Sequence, residues 1–213
     1  MMTNRNFDVA AALLEAGAVR LSPEKPFTWA SGLKSPIYCD NRQLLGFPAA
    51  RSEIAAALSD SILAGNMRPS LIAGASTAGI PWASLAADRL GLPLAYVRPQ
   101  PKSHGMGRRV EGPSADKHSV VLIEDLISTG GSSIKCAEAL RDEGAGALEI
   151  LALFTYELPR AEAAFAEAGI RWRALATFSD LVNKAVEAGA ITRTAQESLA
   201  VWRRNPEGWS GSV

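Results

Sequence analysis

Apolar residues recur at helical spacing through Val9, Leu13, Leu14 and Val19, which predicts an amphipathic first helix; a second is predicted over about 47–63. The stretch between them has another texture. From 27 to 41, turn residues (Ser31, Gly32, Ser35, Pro36) alternate with short β-prone pieces, Phe27-Thr28-Trp29 and Ile37-Tyr38-Cys39, so a small hood or flap is expected over about 20–45. From 71 to 154 the chain repeats a strand, a glycine-containing turn and a helix. The strands are predicted at 71–73, 94–97, 120–123 and 149–154, the helices at 79–90 and 132–143. The run Val120-Val121-Leu122-Ile123 is apolar on both faces, as a strand must be when helices cover both sides of a mostly parallel sheet. The fold class expected is therefore α/β: a mostly parallel sheet flanked by helices, with a small N-terminal hood. A ligand site belongs at the carboxyl ends of its strands. Two or three further helices, near 160–168, 180–188 and 194–203, finish the chain, and Asn205-Pro206 stops the last. No repeat, low-complexity tract or linker intervenes, so residues 1–213 are expected to form a single domain.

With 213 residues and 47% hydrophobic content the chain can bury one substantial core. Lys+Arg and Asp+Glu balance at 22 each, which removes the global basic field that drives non-specific nucleic-acid binding and makes any anion site local. The opening residues are interrupted by Arg5, Asp8 and Glu15, so neither a signal peptide nor a membrane span is expected there, and the expected location is the cytoplasm. Two distant cysteines, Cys39 and Cys136, suit neither a disulfide framework nor a zinc cluster.

The segment 98–118 has little periodicity. It carries the cations Arg98, Lys102, Arg108 and Arg109, the histidine His104, and glycines at 105, 107 and 112. A structureless stretch of that length in a compact domain is usually functional or mobile, although a solvated surface loop would look similar.

The strongest chemical signal follows the apolar run: Glu124-Asp125-Leu126-Ile127-Ser128-Thr129-Gly130-Gly131-Ser132-Ser133. A buried strand ends in two carboxylates, and a Ser/Thr/Gly turn then opens a helix. Such a turn presents backbone N–H groups and hydroxyls at a helix N-terminus, which suits a phosphate dianion. Carboxylates beside an anion site repel phosphate itself, yet they suit a phosphorylated sugar whose hydroxyls need acceptors. Simple capping of a strand-to-helix turn would account for Ser128 to Ser132, but not for Glu-Asp directly after four β-prone residues. No Gly-Lys-Ser/Thr follows, so a P-loop does not fit. A second small-residue loop, Gly74-Ala75-Ser76-Thr77-Ala78-Gly79, also joins a strand to a helix and could present N–H groups to anionic oxygens or merely cap that helix.

Together these segments resemble the type I phosphoribosyltransferases, whose signature for 5-phosphoribosyl 1-pyrophosphate (PRPP) is an apolar strand, two acids, two further residues and a Thr/Ser-Gly-rich turn. Within that family, Phe27 to Arg42 and Arg98 to Gly112 are similar to the orotate branch, and the likeness runs in order from about residue 20 to 155. The resemblance implies transfer of a ribose-5-phosphate unit from PRPP to orotate, giving orotidine 5′-monophosphate and pyrophosphate, as in pyrimidine biosynthesis. It implies PRPP contacts from Arg98, Lys102, His104, Glu124, Asp125, Leu126, Ile127, Ser128, Thr129, Gly130, Gly131 and Ser132. Ala75, Ser76, Thr77 and Ala78 would form the pyrophosphate loop. Lys34, Tyr38, Cys39 and Ser128 would face orotate. Lys102, His104 and Asp125 are the expected catalytic residues, on a mobile loop at about 98–118 and on the acid strand. Mg²⁺ is the expected cofactor, carried mainly by PRPP with no direct protein ligand, and the resemblance also implies a homodimer with shared sites.

Three positions depart from common family patterns: Pro99 after the loop arginine, Ala30 before Ser31-Gly32, and Tyr156 where some members have an arginine for the orotate carboxylate. Lys34 or Arg42 would then have to supply that charge. A purine phosphoribosyltransferase would share the 124–132 turn without the 27–42 pattern. A PRPP-sensing transcriptional regulator would need a winged helix or a basic face, for which the roughly twenty residues before the hood offer too little.

Overall fold

The computed structural model describes residues 7–28, 32, 34–100 and 108–209. Helix α1 (Val9–Glu15) opens under a cap from the Asp8 carboxylate, which accepts the Ala11 N–H at 3.0 Å. The helix is shorter than the apolar spacing predicts: the chain turns at Gly17, and β-branched Val19 begins a strand, β1 (Val19–Leu21), instead of ending the helix. The expected hood is built from two short antiparallel ribbons. Strand β1 pairs with β4 (Ile37–Cys39), Val19 opposite Cys39, and β2 (Phe27–Thr28) pairs with β3 (Lys34–Ser35). A 3₁₀ turn that no periodicity announced, Asn41–Gly46, then leads into α2 (Pro48–Ala64), with proline at a helix start where its missing N–H costs nothing.

The remaining chain winds one six-stranded sheet. Its elements are β5 (Leu71–Ala75), α3 (Gly79–Leu90), β6 (Leu94–Val97), β7 (Val110–Glu111), β8 (Ser119–Ile127), α4 (Gly131–Asp142), β9 (Ala147–Thr155), α5 (Pro159–Ala168), β10 (Arg171–Thr177), α6 (Phe178–Glu187) and α7 (Arg193–Arg204). The spatial order is β10-β9-β8-β5-β6-β7, parallel throughout except for β7. From β5 the chain moves outward to β6 on one side, then returns to place β8 on the other. The strand order therefore reverses between the carboxyl ends of β5 and β8, where open α/β sheets bind ligands.

Three strand assignments differ from the sequence reading. Strand β10 was not anticipated, because Arg171-Trp172-Arg173 lies at the sheet edge, where half-exposed positions accept charge. Part of the expected loop at 98–118 is regular: Val110 and Glu111 pair with Val97 and Tyr96. Strand β8 continues past Ile123 to Ile127, so the two acids lie within it and not beyond its end.

Alternation along the central strands fills two apolar layers. Val121, Ile123, Leu151 and Leu153 pack with α2, α3 and Trp202 of α7, while Val120, Leu122, Ile150 and Ala152 pack with Cys136, Leu140 and Phe165 of α4 and α5. Burying both faces ties the sheet down on each side, which leaves the turns at its carboxyl edge as the variable part. Among the described residues no helix is long and apolar enough to cross a membrane. Both cysteines are free thiols.

Candidate active site

Glu124 and Asp125 reach the switch point because β8 carries them there from the buried core. Glu124 is only 7% exposed and accepts the Ser133 hydroxyl at 2.8 Å from the first turn of α4. Burial first, and then the neighbouring Asp125 charge, push its carboxyl up to about 8. Burial raises Asp125 as well, while Arg42 draws it partly back. Two acids that resist ionising together in the free protein are poised for a ligand that brings hydroxyl donors.

Directly beyond them, the turn from Ser128 to Ser132 opens α4. Gly130 sits at φ +81°, and an added Cβ would lie 2.8 Å from the Phe165 ring, so the turn requires glycine there for both conformation and space. Among the described residues, no backbone carbonyl takes up the N–H groups of Thr129, Gly130, Gly131 and Ser132. Four donors at a helix N-terminus are thus available to one anion.

The loop Ala75 to Ala78 lies alongside. Gly74 is in register with Ile123, so Ala75 stands beside Glu124 across the β5–β8 pair. The Ser76 N–H donates to the Val97 carbonyl at 2.8 Å, which ties this loop to the end of β6. At Gly79 the first turn of α3 runs against β8: an added Cβ would stand 2.4 Å from the Ile123 carbonyl oxygen. The two turns are held apart by a backbone contact with no room for a methyl group. Gly79→Ala is therefore expected to lower stability by about 1–3 kcal/mol, as overpacking does. Denaturant melts read at the same m-value would test this, and an unchanged midpoint would show that the backbone yields freely.

The described stems of the 98–118 segment are anchored. Arg98 N–H donates to the Arg109 carbonyl at 2.9 Å, and the Arg109 guanidinium donates to the carbonyls of Arg98 (3.2 Å), Pro99 (3.3 Å) and Lys135. Arg98 itself stands over Tyr96 and 3.8 Å from Glu111. Lys102 and His104 lie outside the described residues. Arg108 pairs with Glu143 at 3.4 Å, on the α4 side, which takes it out of the set of cations free to meet a ligand.

The hood meets the acid strand through Asn41. Its side chain donates to the Asp125 carbonyl at 2.6 Å, and its oxygen accepts the Cys39 thiol at 3.0 Å. Tyr38 is on the open side of the ribbon, 5.7 Å from the Phe27 ring and under the Arg20 guanidinium at 5.2 Å. Of the two cations considered for a carboxylate partner, Arg42 follows directly on Asn41, whose side chain bonds the Asp125 carbonyl. Its Nε bonds Asp40 at 2.6 Å, and it shares an electrostatic field with Asp125 and Tyr38. Lys34 is exposed on β3, where its backbone pairs with Thr28. Tyr156 is 3% exposed and stacked edge-on between Phe154 and Trp202, so it is a core aromatic there, and burial keeps its phenol protonated. Ala30 lies outside the described residues. Sequence reasoning assigned no individual role to Asn41 or Ser133, although both lie within segments it singled out: their contacts span 84 and 9 residues.

Comparison with known proteins bears on this arrangement. A phosphoribosyl transferase domain model matches residues 40–169. The orotate phosphoribosyltransferase of Lactococcus lactis subsp. cremoris is 48% identical over 94% of this chain and 96% of its own length. A crystal structure of orotate phosphoribosyltransferase from Aeropyrum pernix superposes with a TM-score of 0.72 at 32% identity, covering 86% of this chain and 99% of that one. The structure of Leishmania donovani UMP synthase matches with a TM-score of 0.78 at 28% identity over 94% of this chain, which spans 42% of that longer protein.

Proposed function

This chain belongs to the orotate phosphoribosyltransferase family and transfers the 5-phosphoribosyl group of PRPP to orotate in pyrimidine biosynthesis; we propose that the edge between β5 and β8 performs the reaction as follows. The turn at Ser128 to Ser132 takes the 5-phosphate on its open N–H groups. Glu124 and Asp125 accept the ribose hydroxyls. The loop Ala75 to Ala78 holds pyrophosphate. As the C1–O bond breaks ahead of C–N formation, positive charge grows on the sugar, and the two carboxylates beside it favour that charge. Lys102 stabilises the departing pyrophosphate, His104 orients or protonates it, and Arg98 steadies the neck of their segment. Orotate is an anion, so its ring nitrogen needs positioning more than activation, and no covalent enzyme intermediate is required. The observation that carries this assignment is that two anion-shaped turns and an acid pair converge on one strand-order reversal.

The donor set suits Mg²⁺ carried by PRPP: Asp125, a hard oxygen donor at the cleft, would hold it through water, and the ion would neutralise pyrophosphate charge. We further read the chain as one cytoplasmic domain that works as a homodimer with shared sites. Tyr38 and Cys39 would meet the pyrimidine through the hood ribbon and Ser128 through the phosphate turn.

For the carboxylate of orotate the supporting geometry favours Arg42. Its Nε is occupied by Asp40, which leaves the two outer nitrogens of the guanidinium to fork a carboxylate. Loss of orotate absorbance on adding PRPP and Mg²⁺ measures the reaction, and chelation should stop it. Arg42→Ala is expected to raise the orotate KM by about tenfold to a hundredfold, the worth of a charged hydrogen bond, with the PRPP KM little changed. An unaltered orotate KM would remove Arg42 from this role, and turnover of a purine in place of orotate would remove the base assignment.

A further inference from the structure

On the reaction proposed above, orotate and PRPP fall to different sheets of one core: the β1–β4 ribbon of the hood and the six-stranded sheet, whose Val19, Ile37, Val121 and Ile123 share one apolar cluster. The hood ribbon is hydrogen-bonded along β1 and β4, through the Ser22 N–H to the Pro36 carbonyl and through the Asp40 N–H to the Ala18 carbonyl, whereas the acid pair belongs to the central sheet. The Asn41 side chain joins the two by a hydrogen bond. Asn41 is 1% exposed, accepts the Cys39 thiol at 3.0 Å and donates to the Asp125 main-chain carbonyl at 2.6 Å. Both ends of its amide are used, and the two bonds act in opposite senses, so the thiol donor decides which end of the amide faces Asp125. We propose that Asn41 is a positioning residue that sets the distance between the base-holding hood and the sugar-holding acids, with the Cys39 thiol fixing its orientation.

The physical reason lies in the reaction. The ring nitrogen and the sugar carbon are delivered by separate elements, and rate is steeply sensitive to their separation, about a hundredfold for a 1 Å error. A buried amide bridge with both ends satisfied is stiff, because breaking either bond strands a polar group away from water. Burial, followed by the charges of Asp125 and Asp40, keeps the Cys39 thiol protonated, so it remains a donor across the working pH range.

This inference rests on the transfer reaction proposed above, and the experiment separates the two: a wild-type protein that does not consume orotate defeats that reading, whereas the variants bear only on the bridge. Asn41→Ala and the shape-conserving Asn41→Asp, which cannot donate to Asp125 when ionised, are compared by single-turnover rate per folded molecule, melting temperature and PRPP affinity. The expected result is a loss of roughly thirtyfold to a hundredfold in the single-turnover rate for both, with PRPP affinity within about threefold of wild type. Cys39→Ala should lose several-fold and Cys39→Ser, whose hydroxyl still donates, should lose less. Cys39→Ala added to Asn41→Ala should lose nothing more, because both act through one amide. A purely structural asparagine would lower the melting temperature and leave the rate per folded molecule within threefold of wild type. That outcome, or losses from the two sites that simply multiply, would overturn the proposal.

Discussion

Lys102→Ala is expected to lower kcat by about a hundredfold to a thousandfold, the usual consequence of removing one preorganised charge from a developing anion. The described stems explain why a residue at this position can act on pyrophosphate. The neck is closed by the Arg98 N–H to Arg109 carbonyl bond and by the Arg109 guanidinium, and it begins one residue after Val97. The Val97 carbonyl in turn accepts the Ser76 N–H, so the neck and the pyrophosphate loop share one anchor at the end of β6. Lys102 follows Pro99 by three positions in the sequence, a reach of at most about 11 Å. On the reaction proposed above, a cation tethered that closely would meet the leaving group without a long search, either in its own subunit or in a partner's. Mixing Lys102→Ala with Asp125→Asn protein distinguishes the two. Shared sites would restore about a quarter of wild-type activity, because about half of all dimers are then mixed, and each mixed dimer pairs both lesions in one site and frees the other. Absence of any recovery would place the lysine and the acids of one site in the same subunit, and an unchanged kcat in Lys102→Ala alone would deny the lysine its role.

How much of this was legible in the sequence depended on whether the determinant was local. The strand run Val120 to Ile123 was readable because burial on two sides leaves a continuous hydrophobic run, and Leu94 to Val97, buried on one face and half-buried on the other, is still uniformly apolar. The Ser128 to Ser132 turn was readable for a similar reason, since helix initiation and glycine geometry are written within a few residues. Strand β10 was not, because an edge strand tolerates Arg171 and Arg173, and Arg173 is drawn inward by contacts with Glu149 and Ser61 that are distant in sequence. The end of α1 was misjudged where Val19 fits a helical spacing but pairs with Cys39. Asn41 illustrates the limit most clearly. It stands within a motif that was noticed, yet its function is the contact with Asp125, and only the fold brings those two positions together. The choice between Lys34 and Arg42 was likewise open in the sequence, since each is a cation near the hood; their difference is where the ribbon and the Asp40 carboxylate put them.

The acid pair should give the largest effect of any substitution, and its pH dependence identifies the cause. Glu124→Gln combined with Asp125→Asn is expected to reduce kcat/KM for PRPP by about a thousandfold, since both hydroxyl acceptors and the charge facing the cationic sugar are lost together. The sign of the pH effect follows from the raised carboxyls. In the free protein Glu124 is held up to about 8 by burial and then by Asp125, against an ordinary value near 4.5, so the folded state binds more protons than the unfolded state between those limits. Stability of the free enzyme must therefore fall as pH rises through that window. PRPP reverses the preference, because ribose hydroxyls donating to the carboxylates favour the ionised form. Binding at neutral pH should release close to one proton from the protein, and PRPP affinity should strengthen as pH rises toward 8. Calorimetric titrations in buffers of different ionisation enthalpy read that proton directly, and Glu124→Gln, a fixed neutral mimic, should abolish the release and flatten the decline of melting temperature above pH 6. Proton release that persists undiminished in Glu124→Gln would mean that Glu124 is not its source, and the Glu124 carboxylate would then contribute charge alone and not a change of protonation coupled to binding.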